Sequence, residues 1–132
     1  MTKQEMIMAA IEANGCKPQI DEEGDVFVCY QLKTIYFVTD YSDDDQYVVA
    51  LLPQFTKVVE GEEAPILSVC NRETRELKLA KIFIDQTFKT VSASCEFFYT
   101  DFECLKVNIF HSLNVLGMVR STFARMMAEI NE

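Results

Sequence analysis

One histidine and five cysteines are the residues of this chain best suited to nucleophilic chemistry. A thiol acts as a nucleophile when a base sits within hydrogen-bond reach. His111 follows Cys104 by seven positions, which on a helix means roughly 10 Å of rise, so no Cys-His dyad forms and His111 reads as a structural side chain. Cys16, Cys29, Cys70, Cys95 and Cys104 are odd in number and include no C-x-x-C pair or matched His spacing. A disulfide framework and a zinc site are therefore not expected, and the thiols read as small buried hydrophobes. Asp40, Asp43, Asp44 and Asp45 form the densest acidic run, yet the glycine and distal Glu of a calcium loop are missing, so a solvated hairpin loop is the reading. Arg72, Arg75, Arg120 and Arg125 read as surface charge rather than an anion clamp. Met118, Met126 and Met127 recur at helical spacing and read as core packing rather than an adaptable binding surface. No G-x-G-x-x-G, G-x-x-x-x-G-K, G-x-S-x-G or H-E-x-x-H occurs. No catalytic residue, metal site or cofactor is expected.

These side chains sit on a chain of 132 residues, 49% hydrophobic, with 12 basic against 21 acidic residues and a net charge of −9. That length makes a single domain, residues 1–132, with too much apolar content for a disordered acidic tail. A surface this acidic repels phosphate backbones and anionic headgroups, which removes nucleic acid and membrane as expected partners. Residues 13–16, Ala-Asn-Gly-Cys, have the small-residue look of a lipidation site. Glu5 and Glu12 bracket the short apolar stretch before it, and Ala13 stands where such sites favour Leu, so export is not expected. No later segment holds about 18 uncharged apolar residues. A cytoplasmic protein follows.

The elements read in order. Thr2 to Glu5 is a capping box, Met6, Ile7, Ala10 and Ile11 have helical spacing, and Asn14-Gly15 offers a left-handed stop. Residues 26–32, 34–39 and 47–52 have strand composition, with a short strand near 17–20 before them. Gly61 to Pro65 opens a second helix, and two strands, 77–85 and 88–99, follow with a turn at 85–87. Thr100 to Glu103 reads as a second capping box. Leu105, Ile109, Leu113, Leu116, Val119, Phe123, Met127 and Ile130 then recur at steps of three and four, a helix buried along one stripe. About 28 residues span roughly 42 Å, against a globule diameter of roughly 36 Å, so the helix breaks, with Gly117 the place for it, or overhangs. The class is α+β, a twisted, mostly antiparallel sheet packed with helices in the order α-β-β-β-(β)-α-β-β-α.

The strands within 26–52 are apolar on both alternating faces, whereas Thr90, Ser92, Ser94 and Glu96 alternate with Val91, Ala93, Cys95 and Phe97 as a strand with one wet face. The first half of the sheet is thus expected to be covered on both sides, by the chain's own helices in the plainer account, or by a second copy or client. Tyr36, Val38, Val119, Phe123 and Met127 are the candidate contact residues, and a homodimer is expected.

The stretch Ile66-Leu67-Ser68-Val69-Cys70-Asn71-Arg72, then Leu77 to Asp85, Val91-Ser92-Ala93, Phe97-Phe98-Tyr99 and the long last helix together resemble the YbjN-like bacterial proteins of the type III secretion chaperone-like fold. Asn71, Lys81 and Asp85 stand where that family carries a helix-end Asn, an exposed strand Lys and an acidic turn. The resemblance implies a small acidic cytosolic protein, often a homodimer, that binds protein rather than catalysing a reaction. A secretion chaperone holding an extended client segment is the alternative it implies, and a small-molecule-binding domain is a further alternative.

Overall fold

A computed structural model describes residues 1–39 and 45–131. Asp40, Asp43 and Asp44 of the acidic run lie outside the described residues. Among the described residues the chain forms α1 (Lys3–Ala13), β1 (Gln19–Ile20), β2 (Val26–Tyr30), β3 (Lys33–Val38), β4 (Tyr47–Lys57), α2 (Glu63–Glu76), β5 (Ala80–Ile84), β6 (Thr90–Phe98) and α3 (Phe102–Ile130). This is the expected α+β order. One sheet runs β1-β2-β3-β4-β6-β5, antiparallel at every pair.

Local chemistry sets the boundaries. The Thr2 hydroxyl accepts from the Glu5 N–H at 3.2 Å and Glu5 accepts in return, which closes the capping box of α1. Gln31 and Leu32 both take positive φ, 50° and 66°, as a two-residue hairpin turn of the primed type requires. Leu32 therefore leaves the strand that its apolar character suggested and stands in solvent. β4 runs on through Pro53 to Lys57, beyond the expected end at Leu52, because the register shifts between Leu52 and Thr56 and a bulge tolerates Pro. Within the bulge Gln54 has φ 51°, and its N–H donates to the Ser92 hydroxyl at 2.9 Å. The β5–β6 turn contains no glycine. Asp85 holds it by accepting from the hydroxyls of Thr87, Thr90 and Ser92, and Phe88 takes the left-handed position.

Register sorts the side chains into two faces. Val26, Phe37, Ala50, Cys95 and Ala80 are successive cross-strand partners and all are buried. With Ile35, Val48, Val91 and Ala93 they form the floor on which α1 and α3 lie, closed by Ile7, Ile11, Leu105, Ile109 and Leu116.

Two expectations about α3 are corrected. Its N-cap is Asp101, not Thr100: the Asp101 carboxylate accepts from the Cys104 N–H at 2.8 Å. The helix does not break at Gly117 but continues for 29 residues, a length of about 43 Å. Gly117 serves close approach instead, since a Cβ there would meet Gln31 Oε1 at 2.9 Å and the Tyr30 ring at 3.0 Å. The Tyr30 hydroxyl reaches past it to Asn114 at 2.8 Å.

Candidate functional site

The alternate residues of the same strands build the other face of the sheet, and among the described residues no helix lies across it, α2 touching it only at the β5 edge through Thr74. Phe27, Tyr36 and Leu51 are successive partners across β2, β3 and β4, with Val38 opposite Val49 beside them. All are half-buried by one another, and the rings of Phe27 and Tyr36 lie 5.6 Å apart. The double apolar character read from the sequence is real, but the chain's own helices cover only one side of it. Apolar side chains left in a row without a helix above them are what an interaction surface looks like. At its margin the loop before β2 brings Asp21 and Glu22 into a hollow with Tyr36, Val38 and Leu51.

The same face changes character across β6 and β5. Lys81 and Glu96 pair at 2.7 Å, and Glu96 also accepts from the Tyr47 hydroxyl at 2.9 Å. The Lys81 ammonium and that hydroxyl hold the Glu96 carboxyl below the usual range against the effect of partial burial. Burial would raise the Asp85 carboxyl, but the donations from Thr87, Thr90 and Ser92 outweigh it and hold it low. These groups satisfy one another and leave little to offer a partner.

Of the five candidate contact residues, Tyr36 and Val38 lie on the open face. Val119 and Phe123 do not face outward. They are buried against the chain's own sheet, with the Phe123 ring 5.4 Å from Phe55 on the β4 bulge. Met127 is half-buried in a groove of about 470 Å³ beside Phe55 and Ile66. The bulge aims Phe55 at α3, which is why the apolar stripe of that helix finds its partner within the chain.

The residues of possible chemistry are dispersed. Cys104 Sγ lies 3.5 Å from Asn108 Nδ2, and the His111 ring meets that of Phe110 edge-on at 5.4 Å, each with neighbours of its own. Cys70 and Cys95 are buried, which pushes their thiols up to about 11 and about 12. Arg72 is taken by Glu129 and Glu76. Met126 is in the core, as read, but Met118 is half-exposed. No cluster of metal-ligating side chains occurs among the described residues, and none of their helices is long and apolar enough to cross a membrane.

Three residues escaped the sequence reading. Lys3 is buried with its ammonium donating to the Tyr47 carbonyl at 2.9 Å. On α2, Glu73 is buried, and the exposed Thr74 bonds the edge of β5 through its hydroxyl. The spacing Ile66, Val69, Cys70, Glu73 puts Glu73 on the buried stripe of α2 and is the signal that could have found it.

No family model matches the chain, nor does any curated protein. Among solved structures it is similar to YbjN from E. coli, with a TM-score of 0.63 and 9% identity over 96% of this chain and 90% of that one. At that identity the likeness is one of fold: the chain has a YbjN-like α+β fold, as its sequence resemblance implied.

Proposed function

We propose that this chain is a non-catalytic domain that works in the cytoplasm by binding protein through the helix-free face of its sheet, with a second copy of itself as the first partner. The observation that carries the reading is the uncovered row of Phe27, Tyr36, Val38, Val49 and Leu51. Apposing two such faces is a route to the roughly 1,600 Å² that a stable pair of this size needs. YbjN is described as a candidate transcription regulator. For a chain of net charge −9 a comparable role runs through protein contacts, since phosphate backbones are repelled. A second reading, in which the face holds an extended client segment, is favoured by the acid-lined hollow beside Tyr36 and Val38.

Light scattering at tens of micromolar tests the pair. The expected mass is twice the 15.2 kDa of one chain, falling to one chain in Leu51→Lys without loss of the far-ultraviolet signal. A single-chain mass for the wild type removes the second copy as occupant. A protein captured equally by the wild type and by Leu51→Lys removes the face itself.

A further inference from the structure

Two adjacent side chains of α2 have opposite settings: Glu73 is buried, whereas Thr74 is exposed at the edge of β5. The Thr74 hydroxyl brackets the outer edge of β5, accepting from the Ile82 N–H at 2.8 Å and donating to the Ile82 carbonyl at 3.3 Å. It thereby occupies a backbone pair that an edge strand otherwise offers to another chain. Glu73 is wholly buried, and neither of its carboxyl oxygens has a hydrogen-bond partner among the described residues. An ionised carboxylate is not tolerated in such a place, so the group is either protonated or carried out to water.

The charged groups around Glu73 compensate it only in part, and burial outweighs them. From α3, Arg125 acts on it through space without bonding to it, and Glu129 is held by Arg72 at 2.6 Å. From β5, Lys81 is paired with Glu96 on the opposite face. On α2 itself, Cys70 lies one turn before it, Arg72 and Glu76 pair at the surface, and Arg75 is exposed. We propose that α2 is a proton-dependent latch, docked on α3 and β5 while Glu73 is protonated and released from the edge of β5 as that carboxyl ionises.

Sign and size follow from linkage. Burial raises the docked carboxyl to about 8, whereas in the open form it meets water and ionises in the ordinary carboxylate range. The docked state therefore holds the proton more tightly. Between those two values each rise of one pH unit multiplies the open population by about ten, and above about 8 the gain levels off. Opening frees the Ile82 amide, which Thr74 otherwise protects.

Amide exchange by NMR, expressed as protection factors corrected for intrinsic rates, reads this directly. Protection at Ile82 and along α2 is expected to fall about tenfold per pH unit between pH 5.5 and 7.5, and to stay below that of Phe37 throughout. In Glu73→Gln the fall is expected to vanish. Glu73→Met, which keeps the volume without the carboxyl, serves if that variant does not fold. The carboxyl carbon of Glu73 in the wild type should titrate well above the other glutamates, a readout that needs no substitution. A flat wild-type profile, an unchanged slope in Glu73→Gln or ordinary titration of Glu73 overturns the proposal. So does protection at Ile82 equal to that at Phe37, because opening is then unfolding of the whole molecule.

Discussion

The helix-free face of the sheet is two surfaces joined along β4 and β6. On β2, β3 and β4 it carries Phe27, Tyr36, Val38, Val49 and Leu51; on β6 and β5 it carries Ser92, Ser94, Glu96 and Lys81. Both halves belong to one layer, and among the described residues neither lies beneath a helix, Thr74 of α2 reaching only the β5 margin. In the polar half, hydroxyls and carboxylates find one another within the chain, whereas the apolar half finds no cover beyond its own neighbours. Alternation along a strand thus reports the chemistry of each face but not what lies over it. Apolar residues on both sides of a strand were equally consistent with a second helix layer and with a surface held for a partner.

Neighbouring positions on β3 give the sharpest test of that difference and the largest effect. Phe37→Ala removes a fully buried ring and is expected to cost about 3–5 kcal/mol in urea unfolding. Tyr36→Ala, one residue away on the open face, is expected to cost less than about 1 kcal/mol at dilutions where a pair of copies would dissociate. Equal costs would mean that the open face is covered in dilute solution. A middle effect belongs to the polar half: Asp85→Ala strands the hydroxyls of Thr87, Thr90 and Ser92 and is expected to cost about 1–3 kcal/mol. If that variant is neutral, the half is wet rather than self-satisfied. The smallest effect is that of Lys81→Ala, below about 1 kcal/mol because the ammonium is more than half exposed. It should vanish on the acid side. Glu96 is held low in the folded state, so its contribution is present above the ordinary carboxylate range and lost as the pH falls through the lowered value. Thermal melts of both forms at pH 7 and pH 3 check this, and a difference confined to pH 7 is the expected result.

Much of this architecture was legible because its signals are local. The Thr2–Glu5 box, the turn at Gly15 and the buried stripe from Leu105 to Phe123 each follow from spacing alone, whereas Met127 and Ile130, read as its continuation, are half-buried and exposed. What was not legible depends on contacts distant in sequence. Gly117 is a helix breaker by composition, but here Tyr30 from β2 occupies the space that a side chain would need. Pro53 ends a strand by rule, but the bulge that admits it is fixed by Ser92 of β6. Val119 and Phe123 had the apolar stripe of an interface, and only the turned-in Phe55 shows that the stripe is already occupied. Of the candidate contact residues, Tyr36 and Val38 do lie on the open face, a placement legible because both faces of one strand could be read. Glu73 was passed over because a charged residue on a buried stripe is ordinarily a solvated one.

The strand order also constrains how the chain reaches this structure. β2, β3 and β4 are joined in sequence and pair as neighbours, and β5 and β6 do the same, so each group forms through short loops. The seam between β4 and β6, where Leu52 meets Ala93, closes only across all of α2 and β5. Loop-closure entropy makes such a pairing the slow one. The two groups are thus expected to behave as separate folding units until the seam forms. Destabilising changes within β2 and β3 should then accelerate unfolding and slow folding in different proportion from changes at Ala50 or Cys95, which sit on the seam itself.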